Sequence, residues 1–349
     1  MSKFACRIVW IVCACVLLFI GGCENSGLNH TSLDPVATAI TVSTETNPPY
    51  ESSILEQQIV VGFSQLGSES DWRKANTESI RDAAKEAGIQ LMFENAEQSQ
   101  EKQFEAIRGF IKQRVDVIAV SPVIESGWEP ILHEARMAGI PVILSDRAVE
   151  VNDASLYITT IGSDFYEEGE KAGKYLLDKL SGEPGPIGIV ELQGTEGSSP
   201  TIERGKGFRD IIKQRGDLII RRAEPADFTI EQGRETMTSF LEEMGSDIKV
   251  LFAHNDDMAL GAIEAIEAYG LVPGKDIVII SVDGTRKAFE MMVAGKINCI
   301  VECNPLLGPI LMQAVKEVMD GRSLPKRIVP QESVYTEGVA EKEVLNRPY

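Results

Sequence analysis

The chain has 349 residues, 43% of them hydrophobic, and sets 34 Lys and Arg against 53 Asp and Glu for a formal net charge of −19. So acidic a balance argues against a nucleic-acid partner and against a polybasic membrane patch; a soluble acidic surface accounts for it. Roughly 290 patterned residues exceed the usual size of one α/β core and suggest two.

In chain order, Lys3 and Arg7 precede an apolar run from Ile8 to Ile20, followed by Gly21-Gly22-Cys23. A basic start, a short apolar stretch and small residues at a cleavage point make a secretory signal. The run is shorter than the roughly 17–25 residues of a spanning helix. Ile20-Gly21-Gly22-Cys23 resembles a bacterial lipobox, in which Cys23 is lipidated and becomes the mature first residue. The expected division is a lipoprotein signal peptide at 1–22 and a flexible tether at 23–57, rich in Ser, Thr, Asn and Pro. As a coil that tether would reach on the order of 30 Å. Removing the signal leaves 32 basic and 53 acidic residues, a balance of −21. It also removes Cys6, Cys13 and Cys15. Cys299 and Cys303 would lie roughly 13 Å apart in an extended segment, too far for a disulfide. No further Cys or His stands near them to complete a metal site.

From Ile59 the chain alternates strand and helix. Strand-like segments are 59–65, 90–95, 117–121, 141–146, 156–161, 187–192, 218–223, 250–253, 277–283 and 297–302. Helical patterns fall between them, among them 72–87, 100–114, 129–138, 167–180 and 256–269, several stopped by glycine. Continuous Val/Ile/Leu runs read as strands buried on both faces, so the fold class is α/β with parallel sheets flanked by helices. The first series runs to about Ile161 and the second starts near Gly162.

Three apolar runs stop abruptly in hydrogen-bonding side chains: at Asp146-Arg147, at Asn255-Asp256 and at Asp283-Gly284. In open α/β sheets the ligand crevice lies outside the carboxyl ends of such strands. Carboxylate, guanidinium and carboxamide groups delivered there suit a polyhydroxylated ligand, because each can bond two neighbouring hydroxyls. Ser68 to Arg73 follows the first strand, where Trp72 offers a flat apolar face for a sugar and Arg73 a donor fork. The alternatives are a tryptophan that only caps the helix start, an ion pair that only orients the strand-end loop, and Asn and Asp serving turn chemistry. Trp128 lines the cleft or packs. Arg204 alone is an unremarkable helix arginine. Enzyme signatures are scarce: His30, His133 and His254 are scattered, and no nucleophile elbow, phosphate loop or dinucleotide fingerprint occurs.

With these residues collected, the chain resembles the type I periplasmic sugar-binding proteins of ABC importers, and most of all their galactofuranose-binding members. Residues 61–73, Gly127-Trp128-Glu129-Pro130, Glu191-Leu192-Gln193-Gly194-Thr195 and the stretch from Ala253 to Met258 carry the likeness, which covers nearly all of 59–349. The resemblance implies two lobes joined by three hinge crossings, near Gly162, Pro305 and Pro330, with the helix 306–320 returning to the first lobe. The N-terminal lobe would comprise 58–161 plus 306–329, and the C-terminal lobe 162–305 plus 330–349. It also implies a ligand site of Ser68, Trp72, Arg73, Asp146 and Arg147 from the first lobe, Arg204, Asn255 and Asp283 from the second, and Glu302 on a hinge strand. Asp71 departs from the glycine expected there.

The implied function is that of an extracytoplasmic lipoprotein, anchored to a bacterial membrane through Cys23. As a monomer it would deliver a monosaccharide, with galactofuranose first, to an ABC permease by hinge closure. No catalytic residue, cofactor, metal or nucleic-acid partner is expected. Three rivals share parts of this pattern. A sugar-responsive repressor would need a helix-turn-helix where the signal and tether stand. A receptor subunit handing its liganded state to a sensor kinase or chemoreceptor would look the same in sequence. A glycosidase would use Asp146 and Asp283 as its carboxylate pair.

Overall fold

The computed structural model describes residues 58–349; the expected signal peptide, Cys23 and the tether lie outside them. The first half of the body runs β1 (Val60–Gln65), α1 (Asp71–Glu86), β2 (Gln90–Asn95), α2 (Gln100–Gln113), β3 (Val117–Val120), α3 (Glu129–Met137), β4 (Val142–Ser145) and β5 (Thr160–Ile161). The second runs α4 (Phe165–Lys179), β6 (Ile187–Gln193), α5 (Ser199–Ile212), β7 (Leu218–Pro225), α6 (Ile230–Met244), β8 (Ile248–Ala253), α7 (Asp256–Tyr269), β9 (Val278–Asp283), α8 (Arg286–Val293) and β10 (Cys299–Glu302). The chain closes with α9 (Gly308–Met319), β11 (Arg327–Ile328), β12 (Val334–Thr336) and α10 (Ala340–Asn346).

Two six-stranded sheets result, ordered β11-β5-β4-β3-β1-β2 and β12-β10-β9-β8-β6-β7. Only the β10–β12 pair is antiparallel among the described ladders. The two halves repeat one doubly wound order, whose direction reverses between β1 and β3 and again between β6 and β8; a reversal of this kind opens a crevice at the carboxyl ends of the strands. The apolar runs of β3, β4 and β8 are buried as expected for strands covered on both faces. The chain passes between the sheets three times: after β5, between β10 and α9, and between β11 and β12. Helix α9 does return to pack on α1 of the first half.

One expected strand is largely absent. Residues 156–161 yield only the two-residue β5, preceded by a 3-10 turn at Ala154–Leu156. Asp153 Oδ1 accepts from Ser155 N at 2.9 Å, and this local bond holds the turn against extension.

A closed polar cavity at the candidate sugar site

The carboxyl ends of the two sheets line a small cavity of about 30 Å³. Its first wall is built by α1, which begins directly after β1. Ser70 caps the helix by accepting from Arg73 N at 3.1 Å, so Trp72 and Arg73 fall in the first turn. Arg73 is almost wholly buried. Its Nη2 donates to Asp146 Oδ2 at 2.7 Å, its Nε to Glu69 Oε1 at 3.1 Å and its Nη1 to Ser121 Oγ at 3.3 Å. Burial pulls the Arg73 guanidinium down, but Asp146 and Glu69 more than offset it and hold it above its ordinary range.

Asp146 sits just past β4 with φ +67°, a left-handed conformation that aspartate tolerates better than most residues. Gly162 makes the position possible from below: a Cβ there would stand 2.3 Å from Asp146 O. Arg147 follows. Its Nη1 donates to the Val123 carbonyl at 2.9 Å, and its guanidinium lies 5.2 Å from the Phe228 ring centre across the cavity. Its Nε is buried and finds no hydrogen-bond partner among the described residues; the nearest Asp146 oxygen is 3.8 Å away. Burial, then the neighbouring Arg73, pull Arg147 down to about 10.

The second wall rests on the crossing of α4 and α5. These helices approach so closely that a Cβ on Gly169 would stand 2.1 Å from Arg204 O. That approach brings Glu168 to Arg204, whose Nε donates to Glu168 Oε2 at 2.6 Å while its Nη1 donates to the His254 carbonyl at 2.6 Å. Burial lowers Arg204, but Glu168 and then Cys303 and Asp283 more than offset it and hold the guanidinium well above its ordinary range. Asn255 caps α7, accepting from Met258 N at 3.0 Å and donating to Phe228 O at 3.2 Å. It serves the turn and lines the cavity at once. Asp283 ends β9 with φ +124°, held by a turn that Asp256 organises through Gly284 N at 2.8 Å and Thr285 N at 2.7 Å. Burial, then the Asp256 carboxylate, raise Asp283 well above the usual carboxylate range.

Trp72, Arg73, Asp146, Arg147, Arg204, Asn255 and Asp283 therefore come together around one cavity. Ser68 does not: it is exposed in the loop before α1, and Ser70, the capping serine, takes its place on the wall. Glu302 does not either. Side chains alternate along β10, so Cys299, Val301 and then Cys303 pack on one face while Ile300 and Glu302 take the other. Glu302 accepts from Arg347 Nη1 at 2.6 Å and Ser333 N at 3.0 Å, and Cys303 lines the cavity in its stead. Trp128 is wholly buried, edge-on to Phe104 at 5.2 Å, and packs.

Sequence reasoning missed Phe165, Pro200 and Phe228 on the wall, and Glu168 behind it. Phe228 had a usable signal: it is a large aromatic in the turn after a strand and just before a helix, close to where Trp72 opens α1 after β1. Its φ is +61°, and the bend turns the ring under Arg147. Trp72 donates its Nε1 to Cys303 O at 2.7 Å, and Arg73 lies 4.7 Å from its ring centre.

Behind Cys303 the three crossings are tied together. Glu332, on the last crossing, accepts from Ser163 Oγ at 2.5 Å on the first and from Asn304 N at 2.8 Å on the second. Glu168, Cys303 and Glu332 place three potential ligand atoms within 4.8 Å of one another. Glu168 is committed to Arg204 and Glu332 to the crossings, and burial holds the Cys303 thiol well above its ordinary range, so the cluster works as a hydrogen-bonded knot.

The model of the periplasmic binding protein domain matches residues 61–323. The galactofuranose-binding protein YtfQ of Escherichia coli (strain K12) is 42% identical over 296 residues, 84% of this chain and 92% of that protein. A Mycobacterium smegmatis protein crystallised in complex with β-D-fucofuranose is 48% identical at TM-score 0.81, over 82% of this chain and 94% of that one. The binding-protein component of the arabinose ABC transporter of Shewanella sp. ANA-3, bound to α- and β-L-arabinofuranose, is 43% identical at TM-score 0.80, over 83% of this chain and 95% of that one. With its two repeated sheets and the cavity between them, the chain belongs to the periplasmic binding proteins, of the type I, sugar-binding kind found in ABC importers.

Proposed function

We propose that the protein binds a neutral monosaccharide in furanose form, galactofuranose first, and delivers it to an ABC permease by closing its two lobes. The observation that carries this is Arg147, which lines the small cavity with a buried Nε donor that nothing among the described residues accepts from. A buried unpaired donor costs roughly 1–3 kcal/mol, which an acceptor on the ligand recovers. Charge supports a neutral ligand. Arg73 is matched by Asp146 and Glu69 and Arg204 by Glu168, and Asp283 stands on the wall as a further hydroxyl partner. Trp72, Phe165 and Phe228 offer apolar faces for a sugar ring. Relatives that bind galactofuranose, fucofuranose and arabinofuranose support the ring form.

Because the cavity draws on both lobes, ligand contacts favour the closed state over the open one, and only such differential contact can drive closure. The lobes divide in this reading as 58–161 with 306–329 and 162–305 with 330–349. The protein acts as a monomer without chemistry of its own, held at a membrane surface by lipid on Cys23. A thermal-shift screen of monosaccharides tests the binding: a ligand at 100 times its dissociation constant adds about 2.7 kcal/mol. A transition that no sugar moves would refute the proposal.

A further inference from the structure

We propose that Asp71, Lys287 and Asp257 form a latch across the cleft that sets how long a sugar stays bound without touching it. The inference rests on the reading of the protein as one that opens and closes on a ligand. Asp71 is the first residue of α1, in the first lobe, while Asp257 and Lys287 lie in the first turns of α7 and α8 in the second. Lys287 Nζ donates to Asp71 Oδ2 at 2.6 Å, and Asp71 N donates to Asp257 Oδ2 at 3.2 Å. Lys74 holds the other Asp71 oxygen at 3.0 Å, fixing the carboxylate toward Lys287.

The second bond is a helix cap supplied from the opposite lobe. The opening amides of a helix have no partner within it, and a carboxylate placed there satisfies one and meets the positive end of the dipole. Asp257 does this for α1 only while the lobes are together. On opening, the amide returns to water and the Asp71–Lys287 pair separates. None of the three lines the cavity, so they act on closure rather than on recognition. Asp71, singled out in the sequence as a departure from the expected glycine, gains a role that glycine has no side chain to fill. The Asp71 and Lys287 side chains are 31% and 57% exposed, so the latch is modest and sensitive to salt.

The test uses the full chain with Lys287→Glu, Asp71→Lys and the two combined. Hydrogen exchange at the first turn of α1 reads the latch as the protection gained when sugar is added. Stopped-flow release of D-galactose, whose solutions contain the furanose ring, reads residence time. Lys287→Glu should speed exchange and accelerate release about two- to fivefold at low salt, with the effect fading in 1 M NaCl and the double exchange of charge recovering most of it. Wild-type exchange and release in Lys287→Glu, or no recovery in the double variant, would overturn the latch. If wild-type protein does not bind D-galactose, it is the galactose reading that suffers, and the same exchange and release comparison is made with a sugar that does raise its thermal transition.

Discussion

Replacing Asp146 by asparagine isolates one charge at the centre of the cavity. Asparagine tolerates the left-handed backbone that Asp146 adopts at φ +67°, so the change removes charge without imposing the strain that alanine would. What is lost is the charge on the acceptor of the 2.7 Å bond from Arg73 Nη2, and on the carboxylate that stands 3.8 Å from Arg147 Nε. Both side chains of the Arg73–Asp146 pair are about 95% buried, so water cannot take over as partner. A hydrogen bond to a charged group contributes about 1.5–3 kcal/mol, and a buried cation stripped of its partner costs about 3–5 kcal/mol. Glu69 still holds Arg73 Nε at 3.1 Å, so the lower range applies. Asp146→Asn should therefore lose about 1.5–3 kcal/mol in urea unfolding and about 10- to 100-fold in sugar affinity by calorimetry. Wild-type affinity in a variant that unfolds at wild-type urea would refute the reasoning.

Three further outcomes follow from other parts of the molecule. Burial, then the Asp71 carboxylate, push Asp257 up to about 7 in the closed structure, whereas an opened, solvated Asp257 returns toward about 3.9. Closure then takes up a proton, is favoured at low pH and loses that advantage as pH rises through about 7; affinity should tighten up to about tenfold from pH 8 to pH 6, and Asp257→Asn should flatten the slope in calorimetry. Asp256 adds to the rise and Lys287 opposes it, so an unchanged slope in Asp257→Asn would assign the effect elsewhere. Glu302→Gln should lower stability by about 1–3 kcal/mol through the Arg347 pair yet leave sugar affinity within about threefold; a large affinity loss would return Glu302 to the site. Cys23→Ser should release the protein from the membrane fraction, and unaltered retention with an unmodified wild-type Cys23 would refute the anchor.

The buried strands were legible because a strand covered on both faces must be apolar along its length, and the site because polar groups at the ends of such runs face the crevice. Asp146, Arg147, Asn255 and Asp283, singled out on that ground, line one cavity. What stayed hidden depended on one-residue phase or on tertiary approach. Ser68 and Ser70 differ only in which one caps α1, and Glu302 and Cys303 only in the pleat of β10. Glu168 is an ordinary helix glutamate until α4 and α5 cross at Gly169. Arg204, unremarkable in sequence, gains its role through that crossing.

The central claim is tested most directly by calorimetric titration of the purified protein with galactofuranose, or a simple galactofuranoside, beside ribose, arabinose, glucose and galactopyranose. One site per chain and a clear preference for the furanose hexose are expected, because an analogue lacking a bonded hydroxyl leaves a buried partner such as Arg147 Nε unpaired. Preference for a pyranose hexose or a pentose would contradict the ligand assignment, and heat from none of the sugars would contradict the account of the cavity itself.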